Sequence, residues 1–66
     1  MNVMFDYGAV RIISLGDPFK HAYDIQVQIR DGDDWKFFSG FNTLSDDHAY
    51  TNSRESAQRA LKSMNC

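Results

Sequence analysis

A segment of alternating hydrophobicity between residues 22 and 41 constrains the fold of this chain more than any other feature. From Tyr23 to Arg30, apolar residues at odd positions alternate with polar ones, which is the period of a strand with one buried face. A turn signal follows at residues 31–34, and the next aromatic residues at odd positions are Trp35, Phe37 and Phe41. The segment therefore predicts an antiparallel β-hairpin.

The register of this hairpin follows from parity. If the odd positions of both runs face one core, the numbers of directly opposed residues must add up to an even value. A two-residue turn would break that parity and move the side chains of one run to the other face. We therefore expect a loop of three or five residues, with three favoured, in which Gly32 supplies a positive φ. Trp35 and Phe37 are then expected to share the buried face with Val27.

The rest of the chain predicts strands on either side of the hairpin and a final helix. Residues 9–15 are rich in β-branched residues and end at a Gly-Asp-Pro turn, while residues 3–6 and 49–51 suit short additional strands. Asn52 is expected to cap the helix because Glu55 follows at the capping-box spacing. The apolar stripe of that helix consists of Ala57, Ala60, Leu61 and Met64.

These elements predict an α+β fold. The expected order is β-β-β-(β)-α: an antiparallel sheet of three to four strands, with one C-terminal helix packed on one face. Sixty-six residues form one domain, 1–66, and a domain of this size buries only about 60% of its unfolded surface. Nine aromatic residues favour a dense core.

Cysteine content and the N-terminal sequence restrict the chemistry and the compartment. Cys66 is the single cysteine, so no disulfide forms within one chain, and with His21 and His48 it offers too few favoured zinc ligands. We therefore expect no metal and no cofactor. The first residues lack the basic and apolar regions of a signal peptide, and no stretch approaches the roughly 20 apolar residues of a membrane span. These features favour the cytoplasm.

Catalytic motifs are missing from the sequence, so we expect a protein that is not an enzyme and has no catalytic residues. The nearest acid–base cluster is Asp46-Asp47-His48, which we interpret as a polar loop because neighbouring positions do not converge on one point. The 31–34 run does not match a calcium-binding loop, since its glycine comes second and Asn42 stands at the twelfth position.

Phe38 is the one aromatic residue of the hairpin that the buried face does not explain, because it lies at an even position between Lys36 and Gly40. Three interpretations are open. The preferred one places it under the N-terminal segment, against Phe5 or Tyr7. It could instead anchor a protein interface or stack on a nucleic-acid base.

Charge favours a protein partner. The net charge is −2; residues up to 47 hold eight acids and four bases, whereas residues from 53 onward hold three bases and one acid. The predicted topology places acids at both ends of the sheet, where they would meet a basic surface favourably. The candidate partner-binding residues are Asp31, Asp33, Asp34, Lys36, Phe38, Asp46 and Asp47.

The function expected from these features is binding to another protein with a basic surface, with the chain acting as an inhibitor. In size, acidity and lack of motifs the chain resembles small phage-encoded inhibitors, the anti-CRISPR proteins among them. This resemblance lies in composition and length. It implies steric occlusion of a nucleic-acid channel or subunit interface, with carboxylates standing in for phosphates.

Two other functions are open. The first is a nucleic-acid module that uses its sheet or a basic helix face formed by Arg54, Arg59 and Lys62, because a sheet followed by a helix also occurs in domains that place the sheet in the major groove. The second is a structural homodimer that pairs through an edge strand, 9–15 or 49–51, instead of a monomer.

Overall fold

A computed structural model describes residues 1–64 and shows a four-stranded sheet followed by one helix. The elements are β1 (Asn2–Asp6), β2 (Val10–Ser14), β3 (Ile25–Asp31), β4 (Asp34–Phe41) and α1 (Ala49–Met64). The strands are antiparallel in the order β1-β2-β3-β4, and α1 packs on one face. The predicted α+β fold is confirmed, and Cys66 lies outside the described residues.

The core lies between α1 and one face of the sheet. Val10, Ile12, Ile25 and Val27 are fully buried there, and β2 pairs with β3 so that Ile12 stands opposite Val27. The helix contributes small side chains, of which Ala49, Ala57 and Ala60 belong to the same buried cluster. Small residues let a helix lie close to a sheet, so the β-branched side chains of the strands fill most of the core volume.

The beginning of α1 differs from the sequence prediction. Residues 49–51, expected as a strand, form the first turn of the helix, because Ala49 fits into the core. Asp46 caps this end instead of Asn52: its Oδ1 accepts the backbone N–H of His48 at 2.9 Å, and its Oδ2 accepts the Asn52 amide at 2.9 Å. At the other end Met64 is exposed, so it does not anchor the helix as expected.

The β3–β4 turn contains two residues, which corrects the predicted loop of three or five. Asp31 pairs with Asp34, and Gly32 and Asp33 lie between them. Gly32 has a φ of 63°, so its predicted positive φ is confirmed, whereas Asp33 has a negative φ. A positive φ at the first central residue alone is typical of a type II′ turn.

A β-bulge restores parity further along β4. Phe37 stands opposite Gln28 and Ser39 opposite Val27, which leaves Phe38 as the extra residue. Only residues 39–41 therefore return to the predicted register, and Phe41 packs against the core. Trp35 and Phe37 lie on the opposite face, so the prediction that they share the face of Val27 is wrong.

The strand order also corrects two interpretations of the sheet edges. The interpretation that placed Phe38 under Phe5 or Tyr7 is wrong, because β1 and β4 are opposite edges separated by about 14 Å, three strand spacings. The 9–15 segment cannot pair with a second copy, because β2 is an interior strand, and 49–51 is helical. The edges are β1 and β4, and each contains a bulge, which hinders edge-to-edge pairing.

Two polar side chains fix the end of the sheet where α1 begins. The Asn42 amide nitrogen lies 3.0–3.1 Å from the carbonyl oxygens of Pro18, His21 and Ala22 in the β2–β3 connection. The buried Asp24 carboxylate accepts hydrogen bonds from the Thr43 backbone N–H at 2.9 Å and hydroxyl at 2.7 Å. The two connections at this end are therefore held together.

In residues 1–64, the one helix is too short and too polar to cross a membrane.

Candidate functional site

The sheet face turned away from α1 has no element covering it in the described part of the chain, and we call it the open face. Directly opposed residues share a face, so the pairing of the strands defines its membership. From β1 to β4 its members are Val3, Asp6, Arg11, Ile13, Gln26, Gln28, Arg30, Trp35, Phe37 and Gly40. Ile13 is buried and Gly40 has no side chain. The other members on β2, β3 and β4 carry cationic, amide or aromatic side chains.

Trp35 lies beneath two arginines. The guanidinium carbon of Arg11 is 4.2 Å from the centre of the Trp35 ring, and that of Arg30 is 5.9 Å away. The Arg11 Nε–H also donates to Oε1 of Gln28 at 2.8 Å, which fixes the orientation of the guanidinium. No carboxylate in residues 1–64 forms an ion pair with Arg11 or Arg30, so their terminal amino groups are available to an anion.

An exposed aromatic pair lies beside this cluster. The rings of Tyr23 and Phe37 are 5.7 Å apart between centroids, and the side chains are 48% and 55% exposed. Gly40 explains the position of Tyr23: a Cβ at residue 40 would collide with the tyrosine ring, so the ring lies directly on the β4 backbone. One face of that ring rests on the sheet, which leaves the outer face for a ligand.

The charge of the open face differs in sign from that of the whole chain. Two arginines and one carboxylate, Asp6, give the face a net charge of +1, whereas the chain has −2. Asp6 accepts the backbone N–H of Gly8 at 2.8 Å. In the strand alternation Asp31 and Asp34 fall on the α1 side, because Arg30 and Trp35 occupy the open side.

The predicted acidic candidates are separated into two groups. Asp31, Asp33 and Asp34 surround the β3–β4 turn, where Asp31 forms an exposed ion pair with Lys36 at 3.0 Å. Asp46 and Asp47 lie at the opposite end, before α1. Phe38 is 44% exposed at the bulge of β4.

Asp46 has a structural role. Hydrogen bonds from the Asn52 side-chain amide and the His48 backbone N–H lower the pKa of Asp46. Asp46 contacts His48 through the backbone, so these two side chains form no hydrogen-bonded acid–base pair. Within residues 1–64 no three His, Cys, Asp or Glu side chains come close enough to hold a metal ion.

The basic residues of the helix are exposed. Arg54, Arg59 and Lys62 point away from the buried side of α1. Arg54 lies over the ring of Phe5, 5.2 Å from its centre, and shares a shallow depression with Thr51, Glu55 and Gln58. Because the carboxylate of Glu55 lies beside Arg54, the helix offers a weaker anion site than the open face.

Most of the open face was not predicted from the sequence. Neither the polar residues Arg11, Gln28 and Arg30 nor the aromatic surface formed by Tyr23 was among the candidate residues. The polar positions of the alternating strands were a usable signal, because they mark the face that a helix leaves uncovered. No protein-family model, characterised protein or solved structure matches the chain.

Proposed function

We propose that the protein is a nucleic-acid-binding module that uses the open face. One observation carries this proposal: two exposed aromatic rings, Tyr23 and Phe37, lie on an uncovered sheet face beside the guanidinium groups of Arg11 and Arg30, which form no ion pair within residues 1–64. Aromatic rings on open sheets stack with bases, and arginines bind phosphates. Such a module is expected in the cytoplasm, where a lone cysteine stays reduced.

With only two arginines on the open face, phosphate contacts make a small contribution to the binding free energy. If each neutralises one phosphate, the logarithm of the binding constant falls with the logarithm of salt concentration with a slope of about −1.4 to −1.8. The carboxylates of the sheet ends oppose binding at long range, and screening at physiological salt restricts this repulsion to about 8 Å. We therefore expect moderate affinity that is strongest at low salt.

Paired charge variants test this function. Fluorescence anisotropy with labelled oligonucleotides at about 50 mM salt measures the affinity. The variant R11A/R30A is expected to bind at least about tenfold more weakly, while R54A/R59A, which removes the same charge from α1, binds as the parent does. Loss of binding in the helix variant alone would assign the interaction to α1. Absence of binding by the parent protein at about 100 µM would reject the proposal.

A second candidate function is attachment to a basic protein surface, as for the inhibitors that the composition resembles. The observation that favours it is an exposed apolar pair, Phe19 and Leu44, in the two connections that Asn42 joins. Phe19 is 83% exposed, and Asp17 and Asp47 are in the same connections. Exposed apolar side chains together with carboxylates in the same connections suit a basic partner.

The two functions use different side chains and can be separated. A partner protein that binds through the acidic end is expected to lose affinity with F19S/D47K and to keep it with R11A/R30A. A partner that responds to the arginine variant alone would contradict this second function. The charge reversal avoids Asp46, because that residue caps α1.

A further inference from the structure

We infer that the nucleic acid bound by the open face is single-stranded and that its bases lie apart from one another on the aromatic side chains. This inference rests on the proposed function and names its substrate class. It follows from the spacing of the rings and the breadth of the sheet.

The spacing of the rings excludes a stack of paired bases. The Phe37 and Tyr23 centroids are 5.7 Å apart. Consecutive bases in a duplex are about 3.4 Å apart along each strand. Bases that contact these rings one by one must therefore be unstacked from each other, which a single strand permits.

The breadth of the sheet gives a second, independent reason. Four strands at about 4.8 Å spacing extend over about 14 Å before side chains are added, while the major groove is about 12 Å wide and admits a helix or a two-stranded ribbon. The open face is therefore too broad to enter the groove flat. A flexible single strand can follow its surface instead.

The arrangement of charges suggests the path of the strand. Tyr23 and Phe37 lie toward the α1-start end of β4, and Trp35 with Arg30 lies next to the β3–β4 turn. Bases would stack on the exposed pair, and the backbone would reach the arginines with its phosphates. The Nε–H of Arg11 already donates to Gln28. The two terminal amino groups of Arg11 are therefore left to donate hydrogen bonds to two oxygens of one phosphate.

Competition between two probes of one sequence tests the inference without any variant. The probes are a labelled DNA single strand of about 12 nucleotides and the same sequence closed into a hairpin duplex. The single strand is expected to bind at least about tenfold more tightly. Fluorescence of Trp35, the one tryptophan of the chain, is expected to fall as bases reach its surroundings.

A conservative variant supplies the site-specific readout. Phe37→Leu keeps an apolar side chain and removes the ring, so single-strand affinity is expected to fall roughly 5- to 150-fold. Phe19→Leu makes the same change in an exposed residue of the β2–β3 connection that does not belong to the strands of the open face, and it is expected to leave affinity unchanged. Circular dichroism of both variants verifies that they are folded.

Different experimental results would reject the single-strand inference and the nucleic-acid function. Equal or tighter binding of the duplex, with normal affinity in Phe37→Leu and a loss in R11A/R30A, would overturn the single-strand inference and leave the nucleic-acid function standing. Binding of neither probe by the parent protein would reject both.

Discussion

The guanidinium of Arg11 lies over the ring of Trp35 although the two residues are on strands that do not pair with each other. Arg11 is in β2 and Trp35 in β4, and Gln28 of the intervening β3 binds the Arg11 Nε–H. The contact depends on the two-residue turn, because one more residue in that loop would move Trp35 to the α1 side. The turn therefore creates the cationic and aromatic character of the open face.

A double-mutant cycle is expected to show that Arg11 and Trp35 stabilise each other. The variants are Arg11→Ala, Trp35→Leu and their combination, and urea unfolding followed by circular dichroism measures the free energy of unfolding. A coupling of about 0.5–2 kcal/mol is expected for a cation over a half-buried indole. Arg30→Ala serves as the control, with a smaller coupling because its distance from the ring is 5.9 Å. Additive effects of Arg11→Ala and Trp35→Leu would contradict the interaction.

Deletion of Phe38 is expected to unfold the protein or to destabilise it severely. Without the extra residue, the parity of the turn would extend through residues 39–41 and turn Phe41 away from the core. Phe38→Ala keeps the number of residues. Because the Phe38 side chain is 44% exposed, this substitution is expected to lower the free energy of unfolding by less than about 1.5 kcal/mol. Urea unfolding compares the two, and equal stability would contradict the role of the bulge.

The same bulge explains why hydrophobic alternation predicted the elements but not the faces. The strand segments and the C-terminal helix were evident because their periodicities differ. To bring Phe41 to the core face, the hairpin needs one residue more than a two-residue turn provides. Hydrophobic alternation cannot distinguish an extra residue in the loop from an extra residue at position 38. A loop of residues 32–34 and the observed bulge both place Ile25 opposite Phe41, and only the bulge places Trp35 on the open face.

The helix start illustrates a different limit. Asn52 followed by Glu55 matches a capping box, but Asp46 can also cap, and the choice depends on tertiary packing. Ala49 is buried in the core cluster as the first residue of α1, which favours the earlier start. Propensity alone does not contain this information, because residues 49–51 combine one strong helix former, Ala49, with two residues that favour strands, Tyr50 and Thr51.

Gly40→Ala is expected to destabilise the protein through Tyr23 alone. The new Cβ would collide with the tyrosine ring, while the glycine φ lies outside the left-handed region and adds no strain of its own. Displacing the ring is expected to cost about 1–3 kcal/mol. In a Tyr23→Ala background the same substitution should cost little, and urea unfolding of the four proteins tests this. An equal cost in both backgrounds would show that another contact is responsible.

Asn42→Asp is expected to destabilise the protein by about 2–3 kcal/mol. The amide nitrogen lies within hydrogen-bond distance of three carbonyl oxygens, whereas a carboxylate in its place accepts and cannot donate. The oxygen that accepts the Leu44 N–H at 2.9 Å is retained, so the loss reports on the donor side. Thermal unfolding measures the effect, and Thr43→Ser, which keeps the hydroxyl bonded to Asp24, is the control. A stability equal to that of the parent would show that the connections do not depend on this amide.

The Asp46 cap is expected to make stability depend on pH in the acidic range. Hydrogen bonds from the Asn52 side chain and the His48 backbone N–H lower the folded-state pKa of Asp46 from 3.8, so the folded state favours the carboxylate. This contribution is complete above the unfolded-state pKa and is lost as the pH falls through the lower folded-state pKa. Urea unfolding midpoints between about pH 2.5 and 6 measure it.

Two variants isolate the charge on Asp46. Asp46→Asn keeps an acceptor for the His48 N–H and removes the charge. Its unfolding midpoint is therefore expected to lie below that of the parent above about pH 5 and to equal it at the acidic limit. Asp47→Asn removes the same charge from the next residue, which is exposed, and therefore measures the effect of net charge alone. If both variants shift the midpoint identically at every pH, the dependence arises from overall charge, because a cap interaction would be confined to Asp46.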